Sequence, residues 1–230
     1  MAMAPPRRRI YLLRHAEVRY VDASGRPVRP DSVSLTEQGR RQAEATARAL
    51  SAVALDRAIS SGLPRTVETA GIVLEGRGLD VETREALQEI RPGRLDAIPP
   101  EAFESEFLGA LRGPHGPEDR FLGGETWGAL QGRVLPCVRA LLAEPGWSHL
   151  LVVAHGGVNR VILLDALGGG LPGLGRLEQD PAAINILDVE ADGALMVRLL
   201  NHTPYDETKA DLRETTMERL YRDLHEAWRA

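Results

Sequence analysis

The sequence predicts an α/β fold, a three-layer α/β/α sandwich around a mostly parallel central sheet. Short apolar runs alternate with helical patterns along the chain, as strands joined by helical crossovers do. Two of the runs, Tyr11-Leu12-Leu13 and Leu151-Val152-Val153, read as buried strands that end abruptly at polar residues. With 230 residues, 43% of them hydrophobic and 27% charged, the chain has enough apolar material for one sizeable core, and a single domain over 1–230 is the expectation.

The elements follow in order. Strands are predicted over residues 9–13, 54–59 and 150–154, and two more over 184–189 and 195–200 flank Ala191-Asp192-Gly193, a hairpin signal. The first helix is expected to begin near Thr36, because Ser34 and Glu37 have capping-box spacing and Ala43, Ala47 and Leu50 then line one face. A second helix follows Pro64, with Val67, Ala70 and Leu74 turned inward. The third runs from about Thr126 to Leu142, with a kink expected at Pro136. The fourth starts at Gly157 and carries Val158, Val161, Ile162 and Leu164. Between 91 and 124 the pattern breaks into Gly and Pro turns around Phe103 and Phe107, too long for a simple connection and typical of a substrate-pocket insertion. Residues 206–230 are highly charged but space Leu212, Met217, Leu220 and Leu224 near helical intervals, which fits a C-terminal helix on the domain or on a second subunit, or a solvated tail.

Composition excludes several classes. Cys137 is the single cysteine, so no internal disulfide forms; it lies in the apolar pattern of Leu130, Val134, Val138 and Leu141, where a thiol usually fills core. That usage fits a reducing compartment, and the expected location is cytoplasmic. The N-terminus is basic without an apolar stretch, unlike a secretory signal, and no run approaches a membrane span. A formal net charge of −5 argues against a general nucleic-acid partner. No HExxH, CxxC or EF-hand spacing points to a metal, and no Walker loop or GxGxxG points to a nucleotide cofactor.

The chemistry concentrates at strand ends. Tyr11-Leu12-Leu13-Arg14-His15 and Leu151-Val152-Val153-Ala154-His155 each place a histidine just past the carboxyl end of a strand, the edge where open α/β sheets bind ligands. Small residues follow both, Ala16 in one case and Gly156-Gly157 in the other, and the second histidine also opens a helix whose N-terminus favours an anion. A third strand end, Ser60-Ser61-Gly62-Leu63-Pro64-Arg65, adds an arginine at the start of its helix. If the strands are neighbours, Arg14, His15, Arg65 and His155 converge, and two guanidiniums with two imidazoles suit a compact dianion such as a phosphoryl group. A lone histidine at a strand end is more often a structural hydrogen-bonder; the matched pair and the adjacent arginine reverse that reading here.

These stretches resemble the histidine phosphatase superfamily, the phosphoglycerate mutase-like fold. The resemblance is carried by Leu13-Arg14-His15-Ala16-Glu17, Leu35-Thr36-Glu37-Gln38-Gly39 with Gln42-Ala43, Ser60-Ser61 through Arg65-Thr66 with Glu68-Thr69-Ala70, and Leu87-Gln88-Glu89-Ile90. It continues through Gly123-Gly124-Glu125-Thr126, Val153-Ala154-His155-Gly156-Gly157 and Asn201-His202-Thr203, in family order across most of the chain.

The resemblance implies His15 as the nucleophile that forms a phosphohistidine, and Arg14, Arg65 and His155 as the groups that bind the phosphoryl oxygens. It implies Glu89 as the acid that protonates the departing alkoxide and then the base that activates water. Glu82, Glu85 and Glu101 lie near Glu89 in the chain; Glu125 reads as a first-turn carboxylate favourable to its helix dipole. Several positions depart from the family pattern: Ala16 replaces a usual glycine, and Val18 and Val21 stand where many members carry a hydroxyl residue and an asparagine. After Glu89 the chain reads Ile-Arg-Pro-Gly-Arg-Leu, without the Arg-x-Tyr-Gly stretch of a mutase, which shifts the expectation from mutase to phosphatase. The expected activity is therefore hydrolysis of a small-molecule phosphomonoester without cofactor or metal. A phosphoglycerate-type mutase and a non-catalytic phosphate-binding scaffold are the alternatives; a membrane partner is not expected, and a homodimer is compatible with the sequence.

Overall fold

The computed structural model of the chain describes residues 7–22 and 28–229. Among these residues six strands form one sheet: β1 (Arg8–Arg14), β2 (Arg57–Ser60), β3 (Val81–Thr83), β4 (His149–Ala154), β5 (Ile184–Val189) and β6 (Leu195–His202). Six α-helices among the described residues accompany them: α1 (Glu37–Ala49), α2 (Pro64–Val73), α3 (Pro100–Gly109), α4 (Trp127–Ala143), α5 (Gly156–Ala166) and α6 (Thr216–Arg229). The strand order is β3-β2-β4-β1-β5-β6. The first four are mutually parallel, and the β5–β6 hairpin adds antiparallel pairings at one edge.

The apolar strands alternate between two cores because successive side chains point to opposite faces. Ile10, Leu12, Leu150 and Val152 pack with Leu130, Val134, Val158 and Ile162 of α4 and α5. Tyr11, Leu13, Leu151 and Val153 face the other way, against Leu50 at the end of α1 and Ala70 and Val73 of α2. The result is the three-layer α/β/α sandwich with a mostly parallel sheet. Truncating a fully buried side chain such as Leu130 to alanine should cost about 2–5 kcal/mol.

Local details differ from the sequence expectations for identifiable reasons. The N-cap of α1 is Thr36, not Ser34, because the Thr36 hydroxyl reaches the Gly39 N–H at 2.9 Å. In α2 the inward face is Thr66, Thr69, Ala70 and Val73, while Val67 is 42% exposed. Polar side chains take that inner face because they are used: Thr69 Oγ1 accepts from the Ala16 N–H at 3.0 Å. Helix α4 runs unbroken through Pro136, and α5 begins one residue early, at Gly156. The second strand starts at Arg57 rather than at residue 54, and the short β3 carries too few alternating positions to register as a strand in the sequence. Cys137 is half-buried beside the α4–α5 core, and burial raises its thiol pKa, as suits a filler rather than a nucleophile.

The register of the central pair positions the functional edge. In β1 and β4, Arg14 lies opposite Ala154, so the next residue of each strand, His15 and His155, leaves the sheet beside the other. No helix among the described residues is long and apolar enough to cross a membrane.

Candidate active site

His15, Arg14, Arg65 and His155 come together at the carboxyl edge of the parallel strands. The two imidazole rings stand edge to face with centroids 5.2 Å apart. His15 is 3% exposed and its Nδ1 lies 2.8 Å from the Ala16 carbonyl oxygen. A carbonyl only accepts, so Nδ1 carries the proton and Nε2 the lone pair. Burial, then the Arg65 and Arg14 guanidiniums, hold the His15 pKa well below the usual histidine range, and the ring is neutral near pH 7.

The guanidiniums are fastened but incompletely used. Arg14 donates through Nη1 to the Gln179 carbonyl and, at 2.7 Å, to the Thr216 hydroxyl. Arg65 donates to the Pro30 carbonyl and reaches His155 Nδ1 at 3.3 Å through Nη2. The Nε of each is buried without a hydrogen-bond partner among the described residues. An unmatched buried N–H is costly, and two such donors beside one cavity mark a seat for an acceptor.

His155 is fully buried and lies outside the lining of the cavity that Arg14, His15 and Arg65 share. Its Nε2 meets Ser61 Oγ at 2.8 Å; Ser61 contacts Thr66 Oγ1, which donates to the Leu63 carbonyl. Arg65 is a donor at Nδ1, so the neutral ring carries its proton on Nε2. Burial, followed by Arg65, His15 and Arg14, pushes the His155 pKa well below the usual range.

Glu89 reaches the same cavity from the segment after β3. Both carboxylate oxygens lie 3.1 Å from the Gly157 N–H, and Oε1 also accepts from the Ile90 N–H at 3.0 Å. The sequence points to the N-terminus of α5 as a free anion site; in the structure Gly157 spends its N–H on this carboxylate. The backbone before Glu89 is clamped by Arg133, which donates to the carbonyls of Ala86, Gln88 and Glu89 and pairs with Glu125 at 2.8 Å. Glu125 thus acts through Arg133, while Glu82 is occupied with Arg57 and Arg84.

Several motif residues support the site without entering it. A Cβ on Gly39 would stand 2.2 Å from the Glu17 carbonyl oxygen, so only glycine lets α1 approach the turn after His15. Gln42 and Thr36 hold Glu17 through its N–H and its carboxylate. Val18 bridges Leu35 and packs in a separate cluster, whereas Val21 lines the cavity.

Two participants escape sequence reasoning. Arg160 lines the cavity, 2% exposed, with Nε on the Leu177 carbonyl and Nη2 on Glu178 at 3.0 Å. Its Nη1 would lie 3.1 Å from a Cβ on Gly156, which a Cβ there would also share with Arg14 Nε at 3.8 Å. The available signal is a charge directly before the apolar run Val161–Leu164 of α5. Thr216 lies 202 positions from the arginine it touches, and nothing local marks it. Among the described residues, no group of three or more His, Cys, Asp and Glu side chains is placed to hold a metal ion.

Known proteins resemble the chain in sequence and in fold. Probable phosphoglycerate mutase GpmB of Cronobacter sakazakii is 33% identical over 149 residues, which is 64% of this chain and 69% of that protein. The mycobacterial glucosyl-3-phosphoglycerate phosphatase Rv2419c superposes with a TM-score of 0.67 at 26% identity, covering 85% of this chain and 99% of that one. The α-ribazole phosphatase from Shigella flexneri, 22% identical, shares the fold with a TM-score of 0.69 over 85% of this chain and 96% of its own. The sequence pattern of the histidine phosphatase superfamily (branch 1) matches residues 10–202, from within β1 through the end of β6, and the chain belongs to that superfamily.

Proposed function

We propose that the chain is a phosphomonoesterase that works through a phosphohistidine on His15. The observation that carries this reading is the placement of a neutral imidazole, tautomer fixed by the Ala16 carbonyl, in a cavity with two guanidiniums whose Nε donors are unmatched. Nε2 of His15 attacks phosphorus in line, the P–O ester bond breaks, and the leaving alkoxide takes a proton from Glu89. Arg14 and Arg65 bind the equatorial oxygens as charge spreads over them, and Arg160 adds a third positive charge at the cavity floor. His155 stands edge to face with His15 and accepts from Arg65 at Nδ1, so it holds one of the guanidiniums that meet the phosphoryl group. Water then attacks the phosphohistidine, Glu89 takes its proton, and the P–N bond breaks to release phosphate. The phosphatases among the structural relatives support the hydrolytic outcome.

Release of phosphate from a generic aryl phosphate tests the reading. Wild-type protein should turn over and His15→Ala should lose at least about a thousandfold of that rate, the loss expected when a nucleophile is removed. Retained turnover in His15→Ala overturns the assignment. The relatives named as probable phosphoglycerate mutases support a second reading, phosphoryl transfer between hydroxyls. Supplying a bisphosphate primer with a monophosphoglycerate separates the two, since a mutase returns isomerised product and a phosphatase returns phosphate.

A further inference from the structure

The cavity above the phosphate seat is much larger than a phosphoryl group needs. It encloses about 630 Å³, within the range of pockets that bury a drug-sized ligand. Its positive charge lies at the floor, with Arg14, Arg65 and Arg160. The walls above are mostly apolar: Val21 after β1, Phe107 of α3, Phe121, and Met217, Leu220 and Leu224 of α6. Phe107, Met217 and Leu224 are each no more than 6% exposed and belong to one cluster in which α3 packs on α6. The wall is thus assembled before any ligand arrives. Other charged residues line the cavity as well: Glu89 reaches the phosphate seat, Asp223 is half-buried on α6, and Arg29, Asp31 and Arg91 are exposed, with Arg29 paired to Asp31 at 3.2 Å.

Helix α6 is tied to the phosphate floor by its first residue. The Thr216 hydroxyl accepts from Arg14 at 2.7 Å and meets Glu178 Oε1 at 2.8 Å, and the same carboxylate oxygen pairs with Arg160. One hydroxyl therefore links two of the floor guanidiniums to the helix that carries the wall. Met217, Leu220 and Leu224 follow at helical spacing on one face, so they run up the cavity from that anchor.

We propose that the substrate is the phosphate monoester of a bulky apolar alcohol, whose hydrocarbon portion packs between α3 and α6 while the phosphoryl group meets His15. This rests on the phosphomonoesterase reading above. A leaving group rich in hydroxyls or carrying a carboxylate gains little from such walls and loses hydration against them.

The n-alkyl phosphates from ethyl to octyl, assayed with the full chain, test it cleanly, because their leaving groups share one acidity and only the buried length changes. Each methylene buried should raise kcat/KM roughly fourfold until the wall is covered, so octyl phosphate should exceed ethyl phosphate by at least about a hundredfold. 3-Phosphoglycerate and glucose 6-phosphate should fall below hexyl phosphate. Leu220→Asp should cut the octyl-to-ethyl ratio by about tenfold. Turnover that is flat along the series, or highest with the hydroxylated esters, overturns the inference and leaves the phosphatase reading intact. Calorimetry with the matching alkylphosphonates on the wild-type chain separates the two claims. Affinity that climbs with length while no ester is hydrolysed upholds the apolar site and sinks the phosphatase reading; affinity independent of length sinks the apolar site.

Discussion

Glu89 and Gly157 meet at the first turn of α5, where both oxygens of the carboxylate lie 3.1 Å from one backbone N–H. A Cβ at position 157 would stand 2.6 Å from Glu89 Oε1. The atom in its way is the end of a side chain rather than backbone, so Gly157→Ala should fold, with Glu89 displaced. Turnover of alkyl phosphates should fall about a hundredfold, the scale of a lost general acid, with a smaller fall for aryl phosphates, whose leaving groups need less protonation. Thermal unfolding alongside kcat/KM for both ester types checks this. Equal slowing of the two would remove Glu89 from the role of acid.

The link between Arg14 and Thr216 yields a second expectation. Thr216→Val keeps the shape but leaves Arg14 Nη1 and Glu178 without their shared hydroxyl. Hydrogen bonds to charged groups contribute about 1.5–3 kcal/mol, so kcat/KM should drop by about tenfold or more. Thr216→Ser should restore it, which a role confined to packing the γ-methyl does not predict.

His155 offers a prediction with a definite sign. Its pKa in the free protein is lowered by burial and by the surrounding positive charge, so the ring is neutral at pH 7.5. A bound dianion opposes those charges and favours the protonated ring, so binding should take up a proton. Calorimetric titration with sulfate in buffers of different ionisation enthalpy should give heats that become more positive as buffer ionisation enthalpy increases. The dependence should shrink in His155→Gln. Heats independent of buffer would show that the ring stays neutral when the anion binds.

Much of the site is legible in the chain because its residues sit where short-range rules act strongly. Leu12-Leu13 and Val152-Val153 are apolar without interruption, so the strand ends at His15 and His155 stand out, and the parallel β1–β4 register then brings them together. Arg65 is marked by the Pro64 that opens its helix. What stays hidden depends on distance or on competition between neighbours. Ser34 and Thr36 both suit an N-cap, and only the geometry that lets Thr36 reach Gly39 decides between them. Val67 looks like core until Thr66 and Thr69 are seen to hold the inner face of α2 through hydrogen bonds to Ser61 and Ala16. Arg160 and Thr216 join the site through Glu178, a contact made by folding and by no local pattern.

The central claim is a covalent bond between phosphorus and His15 Nε2. Rapid-quench labelling with a phosphorus-labelled aryl phosphate, followed by peptide mapping under alkaline conditions where phosphohistidine survives, reads it directly. The expected result is label on His15 that appears within the first turnover, decays with hydrolysis and is absent from His15→Ala. Turnover without labelled protein, or label on any other side chain, would contradict it.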